Sequence, residues 1–306
     1  MTIKVFGHKS PDTDSTGSAI IWAWYLSEVK GTPAKPYLLG EPNTEAAFVL
    51  KHWDLPKPEI IADVAASDTV VIVDTNNPAE LPPSINEASV IAIIDHHMLV
   101  GGIKTRTPID ITMRPLACTA TILRDLMGDD LAKAPKAIKG AMLSCILSDT
   151  LEFRSPTTTP HDRAVAEQLA ADLGVSIPDL ATRLFEAKSD VSAFSDAALL
   201  RMDSKEYNVA GMELRVSVLE TTAPAIVLDR KASLMNSMIG VAKEDGADQV
   251  LLFVIDILRE EATLLVPNDL VRQMAEASFG VKVTGDTVVL PGIMSRKKQI
   301  IPALKL

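Results

Sequence analysis

Five short runs, TIKVFG, KPYLLG, TVVIVD, SVIAIID and IDITM, are rich in Val and Ile, and several are apolar almost without interruption. A strand with no polar face must be covered on both sides, which is the situation of a parallel sheet flanked by other layers. Helix-like segments separate or follow the runs: STGSAIIWAWYLSEVK, NTEAAFVLKHW, CTATILRDLMG, APKAIKGAMLSCILSD, TPHDRAVAEQLAADLG and SIPDLATRLFEAK. This alternation predicts an α/β fold with a doubly wound, mostly parallel sheet, whose ligands gather beyond the carboxyl ends of the strands.

The helical pattern breaks after Lys188, at SDVSAFS. Beyond it come two strands between Tyr207 and Leu219, a helix through DRKASLMNSMIGVAKEDG, strands at DQVLLFVID and ATLLVP, and a further helix. With 306 residues, 47% of them apolar and 23% charged, the chain has material for two ordinary domains. The expected division is residues 1–188, a hinge linker at 189–195, and a smaller C-terminal α/β domain at 196–306.

Ionisable groups fall at the strand ends. His8, Asp12 and Asp14 follow TIKVF, Asp74 follows TVVIV, Asp95, His96 and His97 close SVIAII, and Asp149 closes the helix MLSCILSD. In a parallel sheet the strand-end groups open into one crevice, where unbalanced carboxylates suffer a large desolvation penalty. A cation removes that penalty. Imidazoles and carboxylates without thiolate disfavour a structural zinc site and favour Mn²⁺, Co²⁺, Mg²⁺ or catalytic Zn²⁺. The four aspartates Asp12, Asp14, Asp74 and Asp149, with neutral His8 and His96, carry the charge that two divalent ions neutralise. Two such ions are the usual means of attacking a phosphorus centre. Adjacent His96 and His97 are poorly placed to serve the same ion, so one is expected to be a ligand and the other a hydrogen-bond donor to substrate. His52 and His161 lack such company and are expected to be structural or surface groups.

A formal net charge of −10 argues against a broad nucleic-acid or anionic-membrane footprint, so an anionic substrate has to be met locally. MTIKVFG runs directly into a strand pattern without secretory features, and the longest apolar runs are too short for a membrane span. A cytoplasmic protein with buried, reduced Cys118 and Cys145 is expected.

The set VFGHKSPDTDS, IIDHH, CTATIL, LSDTLEFRSPTTT and SRKKQIIP, in this order and at these separations, resembles the family II inorganic pyrophosphatases of the DHH phosphoesterase superfamily. The resemblance spans nearly the whole chain. It implies that His8, Asp12 and Asp74 hold one metal and Asp14, Asp74, His96 and Asp149 the other, with Asp74 bridging. It also implies that His97, Lys205, Arg296 and Lys297 contact the diphosphate and act in catalysis. The implied cofactors are two Mn²⁺ per subunit, with Co²⁺ as a substitute, and Mg²⁺ or Mn²⁺ accompanying the substrate. A homodimer formed through the N-terminal sheet edge is implied as well. The family commonly follows its bridging aspartate with His-Asn-Glu, whereas Asp74 is followed here by Thr75, Asn76 and Asn77.

The basic residues have a physical reason beside the resemblance. Two metals only neutralise their carboxylates, so a bound diphosphate brings unbalanced negative charge that SRKK and Lys205 can meet. The expected reaction is hydrolysis of inorganic diphosphate to two phosphates by a metal-bridging hydroxide, with the site in the cleft between the domains and hinge closure assembling it. The alternatives are an exopolyphosphatase or another DHH phosphoesterase, and a non-enzymatic metal-binding protein. The sequence lacks a GGGH-type motif and has 4% aromatic residues, which disfavours nucleotide substrates.

Overall fold

The apolar runs form one sheet. Its strands are β1 (Ile3–Phe6), β2 (Ala34–Leu38), β3 (Glu59–Ile60), β4 (Thr69–Val73), β5 (Ser89–Asp95) and β6 (Asp110–Met113). They lie in the order β3-β2-β1-β4-β5-β6, and every neighbouring pair is parallel. The computed structural model describes residues 2–305. The chain divides into two units, the first ending at Lys188 and the second beginning at Ser189.

From β1 the chain runs outward through β2 to β3, then returns to the other side of β1 as β4. The strand order therefore reverses between β1 and β4, and a parallel sheet opens a crevice at the carboxyl ends of such a pair. Both faces of these strands are buried. Phe6, Val70 and Ile72 join a core cluster with Val90, Ile93, Leu81 and Ile85, while Val5, Val71 and Val73, of opposite parity, are 0–2% exposed. That two-sided burial explains why the strands read as continuous apolar runs.

Six helices complete this unit: α1 (Thr13–Trp24), α2 (Thr44–His52), α3 (Thr119–Met127), α4 (Lys136–Asp149), α5 (Pro160–Leu173) and α6 (Ile177–Lys188). Helix α1 is shorter than the sequence pattern indicates, because Tyr25–Val29 widens into a π-helical turn. Gly7, between β1 and His8, is fixed by space: a Cβ there would lie 2.0 Å from Ser15 Oγ and 3.1 Å from the Val73 carbonyl oxygen.

The second unit is built on a mixed sheet of β7 (Ser204–Val209), β8 (Met212–Thr221), β9 (Gln249–Asp256), β10 (Glu261–Leu265) and β11 (Thr287–Pro291), in the order β11-β10-β9-β8-β7. Among the described residues, β8 and β9 are the one parallel pair of this sheet. Strand β9 is buried throughout, with Leu251, Phe253 and Ile255 entering one core cluster and Val250, Leu252 and Val254 the other. Its helices are α7 (Asp196–Met202), α8 (Pro224–Leu228), α9 (Lys231–Asp245), α10 (Asp269–Phe279) and the single turn α11 (Ile301–Ala303). The segment 189–195 is tied to this unit. Arg230 donates to the carbonyls of Val191 and Phe194 at 3.0 and 2.9 Å, and the Ser189 and Thr222 hydroxyls lie 3.1 Å apart. Among the described residues, no helix is long and apolar enough to cross a membrane.

Candidate metal centre

The loop after β1 places His8 and then Asp12, whose Oδ1 accepts from Ser15 N at 3.0 Å and caps α1. Asp14 is the second residue of that helix. Asp74 follows β4 directly with φ 59°, a left-handed conformation that costs a non-glycine residue about 1–2 kcal/mol. Strand β5 ends on Asp95 and hands the chain to His96 and His97, while Asp149 is the last residue of α4.

These positions converge. His8 Nε2 lies 3.6 Å from Asp12 Oδ1 and 3.5 Å from Asp74 Oδ2, and His96 Nε2 lies 3.4 Å from Asp74 Oδ1. The two oxygens of Asp74 thus face different histidines. Ligand atoms of His8, Asp12 and Asp74 lie within 4.8 Å of one another, as do those of Asp14, His96 and Asp149. The six ligand candidates therefore fall into two adjoining groups in the first unit, and a third grouping, Asp74, His96 and His97, overlaps both.

Electrostatics show the strain of gathering them without a cation. Burial and the neighbouring Asp74 carboxylate push Asp14 up to about 7. Asp149 is driven well above the carboxylate range by burial and by Asp14 and Asp74, and its buried Oδ2 has no hydrogen-bond partner among the described residues. Burial alone would lower His8, but the facing Asp12 and Asp74 carboxylates raise it to about 10. His96 goes the same way, to about 9, through Asp74 and Asp14. Burial works against ionisation of Asp74, yet His8 and His96 hold it well below the usual carboxylate range. A donor set of two imidazoles and four carboxylates, with an orphaned buried oxygen, fits a pair of hard or borderline divalent ions.

The adjacent histidines are separated by their other nitrogens. His96 Nδ1 lies 3.2 Å from the Leu116 carbonyl, which can only accept, so Nδ1 carries the proton and Nε2 is left free to ligate. His97 Nδ1 instead lies 2.8 Å from Asp95 Oδ1, and its side chain is 53% exposed. Asp95 is fixed in turn by Asn76 Nδ2, which donates to Oδ2 at 2.6 Å and to the Met98 carbonyl at 3.0 Å. Asn76 occupies the middle of the Thr75-Asn76-Asn77 run that follows Asp74.

Several site residues escape sequence reasoning. Asp95 and Asn76 stand at strand ends beside the ligands, but only the fold shows that they orient His97. The N-terminus of α3 supplies a second missed set: Thr119 N and Ala120 N donate to Asp14 at 2.6 and 3.2 Å, and Thr119 Oγ1 donates to Asp74 Oδ1 at 3.0 Å. CTATIL belongs to the quoted motifs without showing this role.

Lys205, Arg296 and Lys297 lie in the second unit. Arg296 donates to the Asp203 carbonyl at 2.8 Å and to its carboxylate at 2.7 Å, two residues before Lys205 in β7. Lys205 and Lys297 are exposed. The loop before them is folded by Gln299, whose Oε1 accepts from Met294 N and Ser295 N at 2.9 and 3.0 Å. His52 stacks on Phe48 and His161 pairs with Asp125. Neither reaches the ligand cluster. A cavity of about 160 Å³ is lined by Asp12, Asp74, His96, His97 and Asp149. A larger one of about 700 Å³, in the second unit among Met235, Ile239 and Asn268, gathers no such ligand set.

Residues 2–149 match the DHH family N-terminal domain and residues 182–306 the DHHA2 domain. A Deinococcus radiodurans protein named "Probable manganese-dependent inorganic pyrophosphatase" is 39% identical, covering 99% of this chain and 98% of its own. A Methanocaldococcus jannaschii protein named manganese-dependent inorganic pyrophosphatase is 34% identical over 98% of this chain and 97% of its own. A crystal structure described as "Methanococcus jannaschii putative family II inorganic pyrophosphatase" is similar with a TM-score of 0.62 and 33% identity over 99% of this chain and 98% of that one. An exopolyphosphatase-related protein from Bacteroides fragilis shares the fold at 13% identity and a TM-score of 0.52, over 98% and 89% of the two chains.

The raised groups set the sign of a pH effect. Metal-free protein holds protons on His8 and His96 that the unfolded chain gives up near 6.5, so their stabilisation is present below that pH and is lost through about 9 to 10. Raised Asp14 acts in the same direction at lower pH. Between about pH 6.5 and 10, urea midpoints of chelator-treated protein should therefore fall as pH rises, whereas Mn²⁺-saturated protein should resist the fall because the ions replace the protons; at acid pH the lowered Asp74 acts in the opposite direction. A chelated midpoint that climbs with pH over the neutral-to-alkaline range would contradict this. The histidine roles are separable by metal analysis: His96→Gln should lose bound metal, while His97→Gln should keep it and lose turnover. The reverse pattern would exchange the two roles.

Proposed function

The chain belongs to the manganese-dependent, family II inorganic pyrophosphatases, and on that footing we propose that it hydrolyses inorganic diphosphate to two phosphates at the ligand cluster of its first unit. The observation that carries the reading is Asp74, whose two carboxylate oxygens face His8 at 3.5 Å and His96 at 3.4 Å and so stand between the two ligand groups. In this reading Asp74 is shared, His8 and Asp12 complete one site, and Asp14, His96 and Asp149 complete the other. These residues would hold two Mn²⁺ per chain, or Co²⁺ in their place, which when bound would supply Lewis acidity to a water and to phosphate oxygens, with Mg²⁺ or Mn²⁺ accompanying the substrate.

The chain's own residues do the remainder. Water adds across one bridging P–O bond, which breaks, and the second phosphate leaves with the bridging oxygen. The Asp95 carboxylate, bonded to Nδ1, raises His97 above the ordinary imidazole value and so favours the imidazolium, whose Nε2–H can donate to a phosphate oxygen. Lys205, Arg296 and Lys297 meet the charge that grows on the departing phosphate. Arg suits this as a planar fork and Lys as a point charge. Arg296 must exchange its bonds to Asp203 for substrate oxygens, which confines its binding energy to the loaded state.

A homodimer through the first sheet's edge is part of the proposal. Strand β6 is an outer strand, and Ile111 on it is 57% exposed beside Leu99 at 74% and Val100 at 63%. A light-scattering mass of a single 32.9 kDa chain would refute it. Cys118 and Cys145 are buried and unpaired, which suits the proposed cytoplasmic location.

Substrate length tests the function. If Arg296, Lys297 and Lys205 cap the phosphate that is not attacked, diphosphate should be turned over with far higher kcat/KM than triphosphate or long-chain polyphosphate. The double variant Arg296→Ala, Lys297→Ala should keep its Mn²⁺ and lose about 3 kcal/mol or more of transition-state stabilisation, with weaker discrimination by length. A wild type that prefers long chains would favour the exopolyphosphatase alternative, and absence of phosphate release with Mn²⁺ present would leave only a metal-binding protein.

A further inference from the structure

Glu45 is fully buried, yet it lies outside the ligand cluster and outside every motif that points to it. It sits in the first turn of α2, behind the Asn43 cap, whose Oδ1 accepts from Ala46 N at 2.7 Å. Its Oε2 accepts from Thr13 Oγ1 at 2.9 Å and from Ser148 Oγ at 2.7 Å, and Lys188 Nζ lies 3.6 Å from the same oxygen. Its Oε1 is buried without a partner among the described residues. A core carboxylate in this state is costly, and an apolar side chain of similar size would avoid the cost.

The two hydroxyls it holds explain its presence. Thr13 stands between Asp12 and Asp14 at the start of α1, and Ser148 directly precedes Asp149 at the end of α4. We infer that Glu45 is a positioning residue for metal binding: it straps the start of α1 to the end of α4 and so fixes the separation of Asp14 from Asp149.

Packing between the helices supports this independently. A Cβ at Gly17 of α1 would lie 2.3 Å from Cys145 Sγ of α4, so the absence of a side chain at Gly17 lets the Cys145 side chain pack directly against α1. The Cys145 thiol also meets the Thr13 carbonyl at 3.2 Å. Gly17 and Cys145 fix the spacing one turn inside the helices, and Glu45 fixes it at the ends that carry ligands. Of the first ion's ligands only Asp12 adjoins a hydroxyl that Glu45 holds, His8 and Asp74 lying on segments it does not touch, whereas Asp14 and Asp149 each adjoin one of the two hydroxyls. Its loss should therefore fall on the ion held by Asp14 and Asp149, and much less on the ion held by His8 and Asp12.

The inference rests on the two-ion reading, and calorimetric titration of the chelator-treated full chain with Mn²⁺ separates the two. Wild type should take up two ions. Glu45→Ala should weaken one of them about ten- to a hundredfold, as is usual when a partner behind a ligand is removed, and leave the other nearly unchanged. Glu45→Gln keeps an oxygen that can accept from both hydroxyls but puts an amide at the unpartnered position. It should therefore retain most of the Mn²⁺ affinity while melting lower than wild type in the metal-free state. If Glu45→Ala fails to fold, Thr13→Val and Ser148→Ala remove the two donors singly, and each should weaken the same ion. Two wild-type ions with unchanged affinities in Glu45→Ala, or equal loss at both sites in proportion to lost stability, would overturn the inference. A wild type that binds a single ion would instead overturn the two-ion reading.

Discussion

Mutual repulsion among Asp14, Asp74 and Asp149, carboxylates drawn into one buried pocket, is the constraint on which the first unit is built. Without a counter-ion the cluster is frustrated: Asp14 and Asp149 are pushed toward their neutral forms while Asp74 stays ionised by holding protons on His8 and His96. A chain keeps such an arrangement only if the surrounding structure over-determines it. Here the α3 N-terminus donates to Asp14, Thr119 to Asp74, and Ser18 Oγ to Asp14 at 2.8 Å. Each bond supports the charged form that a cation needs.

The sheet topology supplies the place. Reversal of strand order between β1 and β4 brings the loops bearing His8 and Asp74 side by side, and β5 adds His96 next to β4. Gly7 lets the first loop pass against Ser15, and the left-handed Asp74 turns its carboxylate between the histidines. The same strain recurs after Asp149, where Leu151, Glu152 and Phe153 all have positive φ. Backbone strain is thus concentrated at the ends of the elements that carry ligands.

Local pattern and strand-end chemistry made much of this legible. TVVIVD reads as a strand because both faces of β4 are buried, whereas IDITM forms the partly exposed edge strand β6, and the ligand candidates stand out because ionisable groups rarely follow apolar runs so closely. Partnerships between distant segments were not legible. Nothing near Glu45 in sequence reveals that it meets Thr13 and Ser148, and nothing in DHH shows that its aspartate is held by Asn76 and aims the second histidine. Strand β11 leaves a weak signal in the sequence because it is an edge strand ending on Pro291, and the apolar pattern of α1 runs beyond its α-helical part because it continues through the π-helical turn. In the second unit, SRKK carried its charge openly, but the bonds from Arg296 to Asp203 and from Gln299 to its loop arise only on folding.

Anomalous diffraction at the manganese edge, from crystals of this chain grown with Mn²⁺, tests the shared role of Asp74 most directly. Bridging requires two peaks about 3.5–4 Å apart, with one oxygen of Asp74 on each and His8 and His96 on opposite ions. A single peak, or a pair in which Asp74 touches only one ion, would contradict it.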